Sequence, residues 1–297
     1  VPVSTENRNP SHLGKGPNIT PTPLGGAALA DLFSLEDVVT VVTGGSRGIG
    51  RMIAEGFVVA GARVVITARS ANECEAAAAQ MRSWGDCRAI AADLSTVSGI
   101  DDFSKRLLEM ESRIDVLVNN AGAAWGDSFE TFPESGWDKV VDLNLKTPFF
   151  LTQRLFPALR RSDDEQPAKV INITSIDGLT LGQHETYSYH ASKAGLIHLT
   201  RRMAARLVGE GIVVNSIAPG AFASQMNKEA RDDEETHSRI IPARRIGSPA
   251  DIAASAIYLA ARAGDYVVGQ TLVVDGGVTN TRREGPVEST APAVSSY

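Results

Sequence analysis

VVTVVTGGSRGIG, residues 38–50, joins a β-branched apolar run to a glycine-rich turn. The run at 38–42 suits a short strand buried on both faces. Glycines within Thr43-Gly44-Gly45-Ser46-Arg47-Gly48-Ile49-Gly50 let the chain turn sharply and approach an anion closely. Residues 49 to about 60 are helical in pattern, so the turn aims the free N–H groups of a helix start at that anion. A glycine-rich turn can be no more than a turn. Its place between a buried strand and a helix is what argues for a dinucleotide pyrophosphate site. Gly44, Ser46, Gly48, Ile49 and Gly50 are the candidate contacts, spaced GxxxGxG rather than GxGxxG.

Outward from this turn the same alternation repeats. Strand-like VVIT at 64–67 is followed by a helical stretch over 71–84, AIAA at 89–92, a helix over 100–112 and VLV at 116–118. VINI at 170–173, VVNSI at 213–217 and LVV at 272–274 come later, between long helical stretches. Strands apolar on both faces that alternate with helices predict an α/β fold of Rossmann type, a doubly wound parallel sheet covered on both sides. Nothing divides 31–278 into two domains. Residues 1–30, rich in Pro, Gly, Asn, Ser and Thr, read as a flexible arm, and 279–297 as a loosely structured tail.

The end of the second strand selects the dinucleotide. Proteins that take NAD place an acidic residue there, about 20 residues past the glycines, on the ribose 2′-hydroxyl. Ala68 and Arg69 stand there instead, so no carboxylate repels a 2′-phosphate. Ser70 and Glu73 form a capping-box pattern that starts a helix beside Arg69. Arg47 in the first turn can reach the same region. Two guanidinium groups at a helix start favour NADP(H); the bland reading is a pair of solvated surface arginines. Asp93, with Leu94 beside it, ends the third strand and can accept from an adenine amino group.

Composition closes off other classes. The chain of 297 residues is 43 % hydrophobic and 22 % charged, which is ordinary for a globular protein with a sizeable core. A formal charge of −6 offers no basic patch for nucleic acid and argues against an anionic membrane surface. No apolar run reaches the roughly 18–20 residues of a membrane span. VPVSTENRNPSHLGKGPN lacks the hydrophobic stretch of a secretory signal. Cys74 and Cys87 alone do not make a disulfide scaffold, and a reducing cytoplasm is the expected setting. The histidines show no HExxH-like spacing, so no metal site is expected.

A second constellation lies further along. In Tyr189-His190-Ala191-Ser192-Lys193, residues 189 and 193 share a helix face, so phenol and ammonium are neighbours. An ammonium beside a phenol favours the phenolate and lowers the Tyr pKa. Such a pair is, on its own, most often a surface accident. Tyr187 is a decoy, because Ala191 stands four residues on. Ser175 follows the VINI strand at the sheet edge where ligands bind in open α/β sheets; as a bland alternative it caps a turn. Asn144 sits in the apolar VVDLNLKTPFF and needs hydrogen-bond partners if buried, so a structural role suits it too. Asn119-Asn120-Ala121-Gly122 follows another strand and is placed to line a cofactor cleft.

TGGSRGIG, NNAG, Asn144, Ser175, Tyr189-xxx-Lys193 and Pro219-Gly220 occur in one order. In that order, over about 33–277, the sequence resembles the short-chain dehydrogenase/reductase family. GDCRAIAADLS, AWGDSFETFPESGWDKV and ALRRSDDEQPAKVINI resemble, within it, bacterial 3-oxoacyl-(acyl-carrier-protein) reductases, including those linked to rhamnolipid synthesis. The resemblance implies NADPH-dependent reduction of a ketone. Tyr189 would donate the proton and Ser175 would stabilise the developing oxyanion. Lys193 would hold the nicotinamide ribose and lower the Tyr189 pKa, and Asn144 would support a water relay to Lys193. Asn120, Ala121 and Gly122 would line the cleft. Pro219, Gly220 and the residues after them, Phe222 and Ser224 included, would meet the nicotinamide end. The helices after Asn144 and Tyr189 would pair subunits into a homotetramer or homodimer, and VVDLNLKTPFFLTQRLF is more apolar than a monomer's outer helix needs.

Three departures from the family pattern matter. Ser224 stands where many members have Thr, which keeps a hydroxyl. The segment from Ser175 to Tyr189 is one residue longer than in common bacterial members, which alters the substrate wall. Glu210 replaces an arginine found in some carrier-protein reductases, which weakens the case for an acidic carrier partner. Two other readings compete with ketone reduction. One is an NADP-dependent alcohol dehydrogenase acting oxidatively on a sterol, sugar or other secondary alcohol. The other is a cofactor-sensing protein without turnover, which would be expected to have lost Tyr189 or Lys193. The substrate itself is decided by residues 223–241.

Overall fold

The computed structural model describes residues 26–162, 165–182, 184–223 and 232–281. Among them, seven strands run parallel: β1 (Val39–Thr43), β2 (Arg63–Ala68), β3 (Cys87–Ala91), β4 (Val116–Asn119), β5 (Ala168–Ile173), β6 (Ile212–Pro219) and β7 (Thr271–Val274). Their order across the sheet is β3-β2-β1-β4-β5-β6-β7. The helices are α1 (Gly26–Asp31), α2 (Gly48–Val59), α3 (Ala71–Met81), α4 (Val97–Met110), α5 (Glu134–Val141), α6 (Thr147–Leu159), α7 (Tyr187–Leu207), α8 (Glu234–Ile240) and α9 (Pro249–Ala260). No helix among the described residues is long and apolar enough to cross a membrane.

Successive side chains of a strand point to opposite faces, and here both faces are covered. Val41, Val65, Leu117, Val170 and Val214 enter one core with Phe103 of α4, Leu151 of α6 and Met203 of α7. Their neighbours Val42, Val64, Ile66, Val118, Ile171 and Ile217 enter the other core with Ile53 and Phe57 of α2 and Leu259 of α9. This is why β1, β5 and β6 are buried along their whole length. The doubly wound sheet expected from the sequence is thereby observed.

Element ends differ from the sequence expectation by a few residues, for local reasons. The helix expected over 71–84 stops at Met81, where Trp84 N–H turns back to the Met81 carbonyl at 2.9 Å. The helix expected from 100 begins at Val97, because Thr96 Oγ1 accepts from Gly99 N–H at 3.1 Å and caps it. The expected arm 1–30 lies outside the described residues up to 25. At its end the GAALAD run forms α1, and Ala263 N–H donates to the Leu32 carbonyl at 2.9 Å. The tail falls outside the described residues from 282 onward.

The chain runs from β1 outward to β3, then returns to add β4 on the other side of β1. That reversal opens a crevice at the carboxyl ends of β1 and β4. Thr43, Asn119 and Ile173 end their strands on this edge.

Candidate active site

The glycine turn leaves β1 and enters α2 directly. Gly44 has φ +67°, in the left-handed region that glycine adopts without strain. Gly50 is packed so closely that a methyl there would overlap the Gly44 carbonyl oxygen. Arg47 holds the N-cap position of α2. A guanidinium has only donors, so it cannot accept from the helix start. The first intrahelical bond in the turn is Arg51 N–H to the Arg47 carbonyl at 3.3 Å. The N–H groups of Gly48, Ile49 and Gly50 precede it and are available to an anion. The residues present therefore fit a dinucleotide pyrophosphate.

Arg69 follows β2 and is exposed, and Arg47 is exposed at the neighbouring strand end. Ser70 Oγ accepts from Glu73 N–H at 3.3 Å, so the expected N-cap of α3 forms beside Arg69. Asp93 accepts from both Ser95 N–H (3.0 Å) and Ser95 Oγ–H (2.7 Å). Partial desolvation pushes its carboxyl pKa up, but the Ser95 bonds and the Arg69 charge hold it below the usual range. Leu94 is buried, and its carbonyl accepts from Thr147 Oγ1 at 2.5 Å, tying this edge to α6.

Thr43 is the residue sequence reasoning missed. Its Oγ1 accepts from Asn120 N–H and Ala121 N–H, both at 2.9 Å, and donates to the Val118 carbonyl at 3.3 Å. Asn120 Nδ2 reaches back to the Thr43 carbonyl at 2.8 Å and the Gly44 carbonyl at 3.3 Å. The Asn120-Ala121-Gly122 turn is thus locked to the glycine turn. A threonine just before the glycines was the available signal. Asn119 is different. Its side chain lies inside the sheet, donating to Asn172 Oδ1 at 2.9 Å, and Asn172 donates to Thr200 Oγ1 at 2.9 Å. Breaking one link would leave a buried polar group unpaired, at a cost of about 1–3 kcal/mol. Asn119 therefore belongs to the core rather than to the cleft.

Ser175 follows β5, and Tyr189 and Lys193 lie on the first turns of α7. The Ser175 hydroxyl lies near enough to the Tyr189 phenol to favour its phenolate, while Ser175 Oγ accepts from Asp177 N–H at 3.1 Å. Lys193 is 4 % exposed and donates to the Ile173 carbonyl at 2.8 Å. Its Nζ stands 5.5 Å from the centre of the Tyr189 ring. The three side chains meet at the carboxyl edge of β5.

The expected lowering of the Tyr189 pKa by Lys193 is not what this geometry gives. Burial pushes the phenol up to about 12; the Ser175 hydroxyl opposes the rise and the Asp177 charge adds to it. Burial pushes the Lys193 pKa down to about 8. Tyr187 faces elsewhere. Its hydroxyl donates to Glu185 at 2.6 Å and its ring meets Phe129 and Phe132 edge-on.

Asn144 sits in a widened helical turn, Asp142–Lys146, where Thr147 N–H bonds the Asp142 carbonyl five residues back. Its Oδ1 accepts from Ala123 N–H (2.8 Å), and its Nδ2 donates to the Ala123 carbonyl (2.9 Å) and Ser192 Oγ (3.1 Å). Both amide hydrogens are used, and Oδ1 holds one donor. The main-chain carbonyl has no donor four residues on, because residue 148 is proline. Such widened turns recur at functional sites.

Pro219 ends β6, and Gly220 N–H donates to the Val274 carbonyl at 3.0 Å. Phe222 is buried, with its ring close against Gly247, so only its main chain is left to face a cofactor. Ser224 lies outside the described residues.

A family model described as enoyl-(acyl carrier protein) reductase matches residues 44–279. The rhamnolipids biosynthesis 3-oxoacyl-[acyl-carrier-protein] reductase of Pseudomonas aeruginosa is 48 % identical over 249 residues, 82 % of this chain and 97 % of the relative. An acetoacetyl-CoA reductase of Acinetobacter is 35 % identical over 82 % of this chain and 98 % of the relative. Among solved structures, a Pseudomonas aeruginosa RhlG/NADP active-site complex superposes with TM-score 0.81 at 47 % identity, covering 84 % of this chain and 99 % of the other. A gluconate 5-dehydrogenase of Burkholderia cenocepacia in complex with NADP and tartrate superposes with TM-score 0.78 at 30 % identity, covering 86 % and 100 %. Likeness of this extent, over nearly the full length of each relative, carries one assignment: the chain belongs to the short-chain dehydrogenase/reductase family.

Proposed function

We propose that the chain catalyses NADPH-dependent reduction of a ketone, a 3-oxoacyl thioester or similar carbonyl, to the secondary alcohol. The observation that carries this reading is the meeting of the Ser175 and Tyr189 hydroxyls beside Lys193. When bound, NADPH supplies the hydride that adds to the carbonyl carbon. Gly44, Ser46, Gly48, Ile49 and Gly50 would hold its pyrophosphate, Arg47 and Arg69 its 2′-phosphate, and Asp93 and Leu94 would meet its adenine. Asn120, Ala121, Gly122, Pro219 and Gly220 line the remainder. Tyr189, neutral until about pH 12, donates its proton to the substrate oxygen. Ser175 donates a hydrogen bond to the same oxygen. Lys193 is charged below about pH 8 and stabilises the phenolate left behind. A water on the Asn144 carbonyl returns the proton by way of Lys193. The names of the 3-oxoacyl and acetoacetyl relatives support the substrate class.

The test is NADPH consumption with free, CoA-linked and carrier-linked 3-oxoacyl compounds beside a small ketone panel. No consumption with any of them would overturn the reading. The likeness to a gluconate 5-dehydrogenase favours a second reading, oxidation of a sugar acid; NADP+ with gluconate in the same assay separates the two.

Cofactor choice gives a sharper expectation. Arg69→Asp removes one charge-assisted contact and adds a repulsion, so NADPH affinity should fall by roughly 1.5–3 kcal/mol. The ratio of kcat/KM for NADPH to that for NADH should shift accordingly. Equal efficiency with both cofactors in the unaltered protein would sink the assignment of Arg47 and Arg69.

We assign the activity to 31–278, flanked by the arm and the tail, in a cytoplasmic homotetramer or homodimer. Cys74 and Cys87 are buried free thiols that suit a reducing compartment. Phe149 and Phe156 of α6 line a groove with Leu199, Met203 and Leu207 of α7, and this is the face that would pair. Light scattering at micromolar concentration should report at least a dimer; a monomer would count against the pairing.

A further inference from the structure

Residues 176–182 follow Ser175 on the way to Tyr189 and are here called the wall. The turn Ile176–Gly178 follows Ser175, and the N–H groups of Leu179 and Thr180 both return to the Ile176 carbonyl at 2.8 Å. Leu179 is 40 % exposed and Leu181 92 %. Single exposed leucines are commonplace. Here they sit on the segment that links the two reacting hydroxyls, and something holds that segment.

His190 spans the gap from α7 to this wall. Its Nδ1 lies 2.9 Å from the Thr186 carbonyl and 3.0 Å from Thr186 Oγ1. Its Nε2 accepts from Gly182 N–H at 3.2 Å. A main-chain N–H can only donate, so Nε2 carries the lone pair and Nδ1 carries the proton. The neutral ring thereby satisfies a main-chain group at each nitrogen. Asp177 Oδ1 stands 3.9 Å from Nε2, at the other end of the wall. Gly182 directly follows Leu181, so this bond sets the direction in which Leu181 leaves the wall. His190 also directly follows Tyr189, so clamp and proton donor ride on one helical turn.

We propose that His190 is a positioning residue that pins the 179–182 wall to the catalytic helix, so that Leu179 and Leu181 take the acyl chain beyond the reacting carbonyl. The proposal rests on the 3-oxoacyl reading above. It is tested with His190→Leu, which keeps bulk and loses both bonds, and His190→Gln, whose carboxamide oxygen can replace the Nε2 acceptor. The readouts are hydrogen exchange at the Gly182 amide, and KM and kcat for 3-oxoacyl thioesters of four and ten carbons.

In His190→Leu, Gly182 exchange should quicken and KM for the ten-carbon substrate should rise about threefold to tenfold, the value of one hydrogen bond. Activity on the four-carbon substrate, and kcat for both, should stay within about twofold on the same scale. His190→Gln should restore the ten-carbon KM. Unchanged Gly182 exchange would overturn the clamp, as would an equal KM rise at both chain lengths. If the unaltered protein reduces neither thioester, the 3-oxoacyl reading fails, and Gly182 exchange still decides whether the clamp exists.

Discussion

Replacing Tyr189 by Phe should lower turnover by about 10²–10⁴-fold, the usual contribution of a general acid, while NADPH binding is retained. The phenyl ring keeps the contacts of the tyrosine ring. What is lost is the phenol oxygen beside Ser175, and with it the proton that the substrate oxygen must receive. Burial holds the phenol neutral up to about pH 12, so at working pH essentially every molecule carries that proton before the change and none after it. Tyr187→Phe is the internal control. Its hydroxyl donates to Glu185, and its ring contacts with Phe129 and Phe132 survive the change. Losing that exposed bond should cost no more than about 0.5–1.5 kcal/mol of stability and leave turnover near normal. Steady-state turnover of both variants beside a cofactor titration decides the matter. If Tyr187→Phe abolished turnover and Tyr189→Phe did not, the roles given to Ser175 and Lys193 would fall with that of Tyr189.

The parts of this site legible in the sequence are those set by short spacings. The glycine turn works through neighbours along the chain, and the Tyr189–Lys193 pair through one helical turn, so both could be read directly. What needed the fold is what depends on register and burial. Asn119 reads as a continuation of Asn120, yet β4 extends one residue further than its apolar run. Asn119 stands opposite Asn172 of β5, and that pairing puts it in the core. The electrostatics of Tyr189 and Lys193 depend on the fold for a related reason. Helical spacing brings two residues together but does not say how much water is taken away, and here burial raises the phenol and lowers the ammonium. Pro148 is an intermediate case: its missing N–H is visible in the sequence, but the widened turn that holds Asn144 is not.

Lys193→Met should separate activity from stability, and in opposite directions. Lys193 is buried, and desolvation lowers its pKa from 10.5 to about 8. A lysine lowered in this way opposes folding wherever it is charged. The sign follows from proton counts. Between pH 8 and 10.5 the folded chain has released this proton and the unfolded chain still holds it, so stability rises with pH. From pH 8 to 10 the gain from this group should be about 2 kcal/mol, at 1.36 kcal/mol per unit near full slope. Cys74 and Cys87, raised from 9.0 to about 11 and 12, act the other way from about pH 9 upward, and Tyr189, raised from 10.0 to about 12, from about pH 10 upward, but all three are common to both proteins. The difference between the two stability curves therefore isolates Lys193. Methionine removes the charge and most of this pH dependence, at the cost of the bond to the Ile173 carbonyl. Turnover should fall by about 10²–10³-fold, as for loss of one preorganised group at a developing charge. Denaturant melts at pH 8, 9 and 10 measure the first effect and steady-state rates the second. Parallel stability curves for the two proteins would show that Lys193 does not enter the fold as a desolvated charge, and its proposed work on the phenolate would lose its physical basis.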